Sequence, residues 1–131
     1  ESADLRQVLR ESGVDVIFLV SPTTTTARME LAGQLGSGFL YAISRLGVTG
    51  ARSSLAVGVE QLVARIRQSA SLPVAVGFGI SQPEQVREVG QWADAVVVGS
   101  ALVQLIADSA DAPDLDERVE AYVRWLTGSC G

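Results

Sequence analysis

The sequence predicts an α/β protein in which parallel β-strands alternate with α-helices. Four short apolar runs, rich in valine and isoleucine, recur along the 131 residues, and segments with helical periodicity fill the intervals between them. The runs begin 24, 34 and 21 residues apart. This spacing is typical of βα units, which require a parallel sheet with right-handed crossovers.

The predicted strands are short and lack regular polar alternation. They are Val14–Val20, Gly38–Ile43, Leu72–Val76 and Ala93–Val98. A continuous apolar run is typical of a strand that is buried on both faces, as in a parallel sheet. We therefore expect both faces of this sheet to be covered.

The helices are predicted from apolar stripes and from capping signals. A first helix over Ala3–Ser12 leads into the first strand. Ser81 and Glu84, with Pro83 between them, form a capping-box pattern that marks the start of another helix. The helices predicted after the first one are Thr26–Leu35, Val57–Ala70, Ser81 to about Trp92, Ser100–Ala107 and Leu115–Leu126.

We expect one α/β domain over residues 1–131, with no linker and no second domain. It comprises a leading helix (1–13), four βα units (14–107) and a terminal helix (115–127). Four units are enough for a small open sheet or for half of an eight-stranded barrel. Residue 1 is Glu rather than Met, so we expect a processed or cut chain.

Composition excludes several classes of function. The formal charge is −5, which argues against nucleic acid or an anionic membrane surface as a partner. The sequence has no histidine, which excludes a histidine triad and a histidine-ligated metal, and we expect no metal site. Cys130 is the one cysteine, and no secretory signal is visible, so we expect a reducing, cytoplasmic location. No apolar run approaches the ~18 residues needed to span a bilayer.

Small residues follow each predicted strand, at the strand ends where ligands gather in parallel α/β folds. The segments read SPTTTT, SRLGVTG, GFGIS and GSA, and the last runs directly into a helix. A helix N-terminus offers free N–H groups and the positive end of a dipole. We therefore predict that the backbone amides of Gly50, Gly79 and Ser100 surround a phosphate. Each glycine taken alone is also explained as a turn former, and none matches a dinucleotide or P-loop fingerprint.

Several of these segments together resemble the second half of the tryptophan synthase alpha subunit family. They are FLYAISRLGVTGARS, LPVAVGFGISQPEQV and ADAVVVGSALV, and DVIFLVSPTTT is similar to the family's fifth strand. The resemblance runs from about Val14 to Val103. It implies strands five to eight of a TIM (β/α)8 barrel. It also implies a carbon–carbon lyase of tryptophan biosynthesis that cleaves indole-3-glycerol phosphate to indole and glyceraldehyde 3-phosphate.

The resemblance also implies roles for individual residues. Tyr41 matches a tyrosine beside the indole, and Thr49 lies in a loop that closes over the site. Phe78 and Ile80 match apolar residues near the substrate. The positions implied to bind the phosphate through the backbone are Gly50, Gly79, Gly99, Ser100 and Ala101. Tyr41 is equally explained as a residue that fills the core of the barrel.

No catalytic residue is expected in this sequence, because the family's acid–base Glu and Asp belong to the first half of the barrel. The local carboxylates are poorly placed for proton transfer, which needs hydrogen-bond reach to the reacting group. Those on predicted helices or at the opposite ends of strands are Glu60, Glu84, Glu88, Asp15 and Asp94. We expect the chain alone to be inactive and to hold no cofactor, since the family's pyridoxal phosphate belongs to the beta subunit.

The resemblance implies a phosphorylated substrate and either a beta subunit or the missing half-barrel as partners. Two other functions remain possible from the sequence. The alternative is a non-catalytic, phosphate-binding half-barrel that associates with itself or with a missing half, because its sheet edges and apolar face are exposed. A phosphate-binding isomerase or epimerase is the third reading, and the SRLGVTGAR segment argues against it.

Overall fold

The computed structural model describes residues 2–44 and 52–128 of the chain. Within these ranges the strands are β1 (Phe18–Val20), β2 (Leu40–Ile43), β3 (Val74–Gly77) and β4 (Ala95–Val96). The helices are α1 (Ser2–Glu11), α2 (Thr26–Leu35), α3 (Arg52–Ser69), α4 (Pro83–Val89), α5 (Ser100–Asp108) and α6 (Leu115–Thr127). The strands form one parallel sheet in the order β1-β2-β3-β4, which confirms the predicted fold class.

The core lies between the sheet and the helices. Val20 pairs with Ala42, and Ala42 with Val76, so these three side chains lie in one row across the sheet, and all are fully buried. Met29 of α2 and Ile66 of α3 are fully buried in the same cluster. The helices also contact one another, α2 with α3 and α3 with α4, and so form a layer over this face.

The opposite face of the sheet is open, which corrects the prediction that both faces are buried. Leu19, Tyr41, Ala75 and Ala95 are neighbours in register across the four strands. Leu19 is 60% exposed and Ala95 is exposed, whereas Ala75 is buried. In a closed barrel, side chains from other strands cover the inner face of each strand, so that face is apolar. A strand of a half-barrel carries the same apolar run, although the strands that would cover it are missing. Among the described residues, no helix or strand covers Leu19.

The edge strands are shorter than the apolar runs that predicted them. The run Val14–Val20 is paired only over Phe18–Val20, and the run Ala93–Val98 only over Ala95–Val96. Each of these strands has one neighbour in the sheet, so its length is set by that neighbour alone. Strand length depends on pairing, which apolar content does not report.

The start of α4 also differs from the prediction. Gln82 is the N-cap and its partner is Gln85, so the capping box lies one residue beyond the predicted pair Ser81 and Glu84. The Gln85 Oε1 atom accepts hydrogen bonds from the N–H groups of Ser81 at 2.9 Å and Gln82 at 3.0 Å. Glu84 is exposed and faces Arg87 at 3.7 Å instead. The helix ends at Val89, earlier than predicted.

Asp94 joins three elements at the amino ends of the strands. Its Oδ2 atom accepts hydrogen bonds from the Val74 N–H at 2.9 Å and from the Arg67 guanidinium at 3.0 Å. Arg67 also donates to the carbonyl oxygen of Trp92 at 3.1 Å. The carboxylate therefore connects α3 to the starts of β3 and β4, at the end of the sheet away from the glycine-containing loops.

Candidate functional site

The carboxyl ends of the parallel strands lie at one edge of the sheet, and the loops that follow them meet there. Val76 pairs with Val96, so the loop that begins at Phe78 and the segment that leads into α5 leave the sheet side by side. Of the predicted site residues, Thr49 and Gly50 lie outside the described residues. The site is therefore built from the ends of β2, β3 and β4.

The loop after β3 presents bare backbone. Gly79 has a φ of +80°, in the left-handed region that residues with a side chain rarely adopt. A Cβ atom added at Gly79 would meet no atom of residues 2–44 and 52–128 within 4 Å, so with respect to this part of the chain the backbone faces open space. Ile80 is 1% exposed and belongs to the core, and Phe78 packs against the same core. The loop is thus anchored on both sides of Gly79, which is itself exposed.

The start of α5 offers a second set of amides. Gly99 is the N-cap, and Ser100 and Ala101 are the first helical residues. The N–H groups of the first turn have no partner within a helix, and the helix dipole makes this end positive. The first turn carries no acidic residue, and no atom of the described part of the chain lies within 4 Å of a Cβ atom built at Gly99. Gly99 and Ser100 are exposed and Ala101 is half-buried. Such an end favours an anion.

Tyr41 lies on the open face of the sheet, over the end of β3. A Cβ atom added at Gly77 would lie 2.5 Å from the Tyr41 Oη atom and 2.9 Å from its Cε2 atom. The ring therefore rests directly against the backbone of Gly77, and only glycine permits this approach. Tyr41 is half-buried. The position suits both predicted roles, a ligand contact and a residue that fills the barrel core.

The hydroxyl groups after β1 are used within their own loop. The Thr24 Oγ1 atom accepts a hydrogen bond from the Ser21 N–H at 3.0 Å, and the Ser21 hydroxyl lies 3.0 Å from that of Thr23. Arg65 of α3 donates to the carbonyl oxygens of Pro22 at 3.1 Å and Thr24 at 2.9 Å. The hydroxyl groups of this segment therefore bond to one another or to its own backbone, and Arg65 attaches the segment to α3.

The carboxylates singled out from the sequence lie away from these loops. Glu60 is exposed on α3, and Glu84 and Glu88 are exposed on α4. Asp15 is exposed before β1, and Asp94 has the structural hydrogen bonds described above. Across residues 2–44 and 52–128, no group of three or more His, Cys, Asp and Glu residues is placed to hold a metal ion. None of the helices described here is both long and apolar enough to cross a membrane.

Sequence analysis missed two residues that hold the loops in place. Arg65 binds the turn after β1, and the Tyr122 hydroxyl of α6 donates to the carbonyl oxygen of Ser81 at 3.2 Å. Both contacts join residues more than 40 positions apart, so no local sequence pattern predicts them. The one available signal was a tyrosine, which carries a hydroxyl, in the partly buried stripe of α6.

Comparison with known proteins gives one consistent result. The family model described as tryptophan synthase alpha chain matches residues 1–127. The tryptophan synthase alpha chain of Solibacter usitatus is 45% identical over 123 residues, which cover 94% of this chain and 46% of the relative. The chain thus spans about half the length of the curated relatives it matches.

Solved structures agree with the sequence comparison. The tryptophan synthase A-subunit of Pyrococcus furiosus superposes with a TM-score of 0.81 at 31% identity, over 96% of this chain and 50% of that one. Tryptophan synthase from M. tuberculosis, in an aminoacrylate-bound form, gives 0.78 at 30% identity, over 96% and 44%. The four βα units therefore correspond to half of a TIM (β/α)8 barrel, as predicted.

Proposed function

Since the family model extends over residues 1–127, the chain belongs to the tryptophan synthase alpha chain family, and from this we propose its function. We propose that the chain supplies the phosphate-binding half of a lyase that cleaves indole-3-glycerol phosphate to indole and glyceraldehyde 3-phosphate. The observation that carries the proposal is the exposed backbone of Gly79 beside the amino end of α5. We further propose that residues 1–131 act as one α/β domain.

The phosphate is bound by backbone amides rather than by side-chain cations. The open space at Gly79 and Gly99 leaves room for an anion close to the main chain, which any side chain would reduce. Ser100 and Ala101 contribute free N–H groups at the positive end of α5, and the Ser100 hydroxyl adds one more donor. Gly50, which follows β2 in the sequence, completes the proposed set. Amides from separate loops suit the several oxygens of a phosphate group.

The remainder of the substrate lies over the open face of the sheet. Tyr41 is placed there by the close approach to Gly77, so its ring forms one wall for the indole group. Phe78 contributes a half-buried aromatic surface next to the phosphate loop. Ile80 is inside the core and supports the loop from below rather than touching the ligand. Thr49 belongs to the segment proposed to close over the bound substrate.

The proton transfers of the lyase reaction come from outside this chain. Cleavage needs a group that takes the proton from the glycerol hydroxyl and a group that protonates the ring carbon. The carboxylates of the described residues named above lie on helix surfaces or at the far end of the sheet. The curated relatives are about twice as long as the matched segment, and their other half is the proposed source of both groups. We therefore propose that the chain alone is inactive.

Partners and location follow from the same proposal. The indole product requires a second enzyme that consumes it, and the proposed partner is a tryptophan synthase beta subunit, which carries the pyridoxal phosphate. The chain itself is proposed to hold no cofactor. A reaction of amino-acid biosynthesis on a phosphorylated substrate belongs in the cytoplasm, the proposed location.

Phosphate binding is tested by the variant Gly79→Ala. In the parent chain we expect inorganic phosphate to shift the amide NMR signals of Gly79 and Ser100. The variant should bind phosphate at least ~10-fold more weakly, because the added Cβ atom occupies the space proposed for the anion and so removes about one charge-assisted hydrogen bond. An alanine at this positive φ also lowers stability by about 1 kcal/mol.

Gly13→Ala is the matched control. Gly13 has a φ of +71° and equally open surroundings, but it lies before β1, at the other end of the sheet. The Gly13→Ala variant should lose about as much stability as Gly79→Ala and should bind phosphate with the affinity of the parent. A parent spectrum that does not respond to phosphate, or an equal loss of affinity in both variants, would contradict the proposal.

A second candidate function is favoured by the exposure of Leu19. Two copies related by a twofold axis place β4 of one beside β1 of the other in parallel, which closes an eight-stranded sheet over the open face. The chain would then be a non-catalytic, phosphate-binding half-barrel that assembles with itself. Sedimentation velocity distinguishes a 13.8 kDa monomer from a dimer. If a dimer forms, Leu19→Arg should return it to monomers, whereas a monomer at ~100 μM in the parent chain rules this candidate out.

A further inference from the structure

The terminal helix makes a polar contact with the proposed phosphate loop. Tyr122 of α6 donates its hydroxyl hydrogen to the carbonyl oxygen of Ser81, at 3.2 Å, across 41 residues of sequence. Its ring lines an apolar cavity of about 230 Å³ together with Val86 and Leu126. It also lies 5.7 Å from the ring of Trp125, at an angle of 34°. The ring is thus held among apolar neighbours, which orients the hydroxyl toward the loop.

The peptide groups around Ser81 are held from two helices. On the α4 side, Gln85 Oε1 accepts the N–H groups of Ser81 and Gln82. On the α6 side, Tyr122 binds the Ser81 carbonyl oxygen. Gln85 is a neighbour in sequence and caps its own helix, whereas Tyr122 brings in an element from the other end of the chain. The contacts between α4 and α6 show that the two helices pack directly.

Gly79 lies two residues before Ser81 in the same loop. It has no side chain, faces open space and has a positive φ. The direction of its amide therefore depends on how the residues on both sides of it are held, Phe78 before it and Ile80 and Ser81 after it. Ile80 fixes the loop against the core, and the Ser81 peptide fixes its exit toward α4.

We infer that Tyr122 is a positioning residue for the phosphate loop. Its hydroxyl holds the Ser81 carbonyl oxygen and so keeps the Gly79 amide aimed at the anion. The ligand in this inference rests on the proposed function, whereas the restraint on the loop does not. Phosphate affinity is thereby coupled to the docking of α6, although no residue of α6 touches the anion.

The test is the variant Tyr122→Phe, which keeps the ring and removes the hydroxyl. In the absence of ligand, the amides of Ser81 and Gln82 should exchange with solvent about fivefold faster, because the loop opens more often. In a titration with inorganic phosphate, the dissociation constant should rise about fivefold. Both signals should report this weaker binding, and at saturating phosphate the shift of the Gly79 signal should be smaller than in the parent while that of the Ser100 signal is unchanged.

The matched control is Ser37→Ala. Ser37 Oγ accepts a part-buried hydrogen bond from the Val16 N–H at 3.0 Å, next to the amino ends of the strands. Its loss should lower global stability to a similar degree while leaving both the exchange of the Ser81 amide and the phosphate affinity unchanged. Equal effects of the two variants on the loop would show a general loss of stability and overturn the inference.

The two proposals fail in different ways. If the parent chain does not bind phosphate but Tyr122→Phe still accelerates exchange at Ser81 and Gln82, the positioning role of Tyr122 stands and the phosphate site is wrong. If the parent binds phosphate and Tyr122→Phe changes neither exchange nor affinity, the positioning role is wrong and the phosphate site stands.

Discussion

Replacing Leu40 with alanine is expected to lower the free energy of unfolding by about 2–5 kcal/mol, the range for removing a leucine from a packed core. Leu40 is fully buried in β2, one of the two central strands, and pairs with Phe18 on one side and Val74 on the other. The cavity would therefore lie where the sheet meets the helical layer. Urea denaturation followed by far-UV circular dichroism measures the loss. For a small domain this is a large share of the total stability.

Leu19→Ala is the control for this prediction. It removes the same atoms from the neighbouring strand, but Leu19 points to the open face and is 60% exposed. We expect a change of less than about 1 kcal/mol, because little apolar area leaves water there on folding. If Leu19→Ala lowered stability as much as Leu40→Ala, the open face would be covered in solution, as in the self-associated half-barrel.

Gly77→Ala is expected to displace Tyr41 and to lower stability by about 1–3 kcal/mol, the usual effect of overpacking. The new Cβ atom would lie 2.5 Å from the Tyr41 Oη atom, and the ring has only two torsions with which to move away. The expected result is a change in the NMR signals of the Tyr41 ring, together with a lower unfolding midpoint. The wall proposed for the indole group would be lost even where the chain stays folded.

The double variant Gly77→Ala with Tyr41→Ala shows whether the contact itself is responsible. Without the ring the methyl group has space, so the double variant should be more stable than the sum of the single effects predicts, by at least ~1 kcal/mol. Gly58→Ala is the matched control for the glycine substitution, since a Cβ atom there meets no atom of the described residues within 4 Å. In the helix α3 it should raise stability by about 0.5–1 kcal/mol. Additive effects at Gly77 and Tyr41 would contradict the steric explanation.

Local patterns in the sequence were sufficient for the existence, order and type of the elements. The bounds of α2, Thr26–Leu35, are those predicted, and α5 begins at Ser100 as predicted. Helical periodicity and capping depend on residues three or four positions apart, so they are visible in a single sequence. The capping box was displaced by one residue, to Gln82 and Gln85, a register that the preference for Ser or Thr at the N-cap does not predict.

The sequence by itself therefore determined the four βα units, the glycine-containing ends of the strands and, by resemblance, the family. Only the tertiary structure decided which face of the sheet is open at Leu19, which side chain rests on Gly77, and which helix holds the Ser81 carbonyl oxygen. The physical reason is distance along the chain. Tyr41 and Gly77, and likewise Tyr122 and Ser81, meet only after the strands and helices have packed, so no periodicity or motif within either segment specifies the contact.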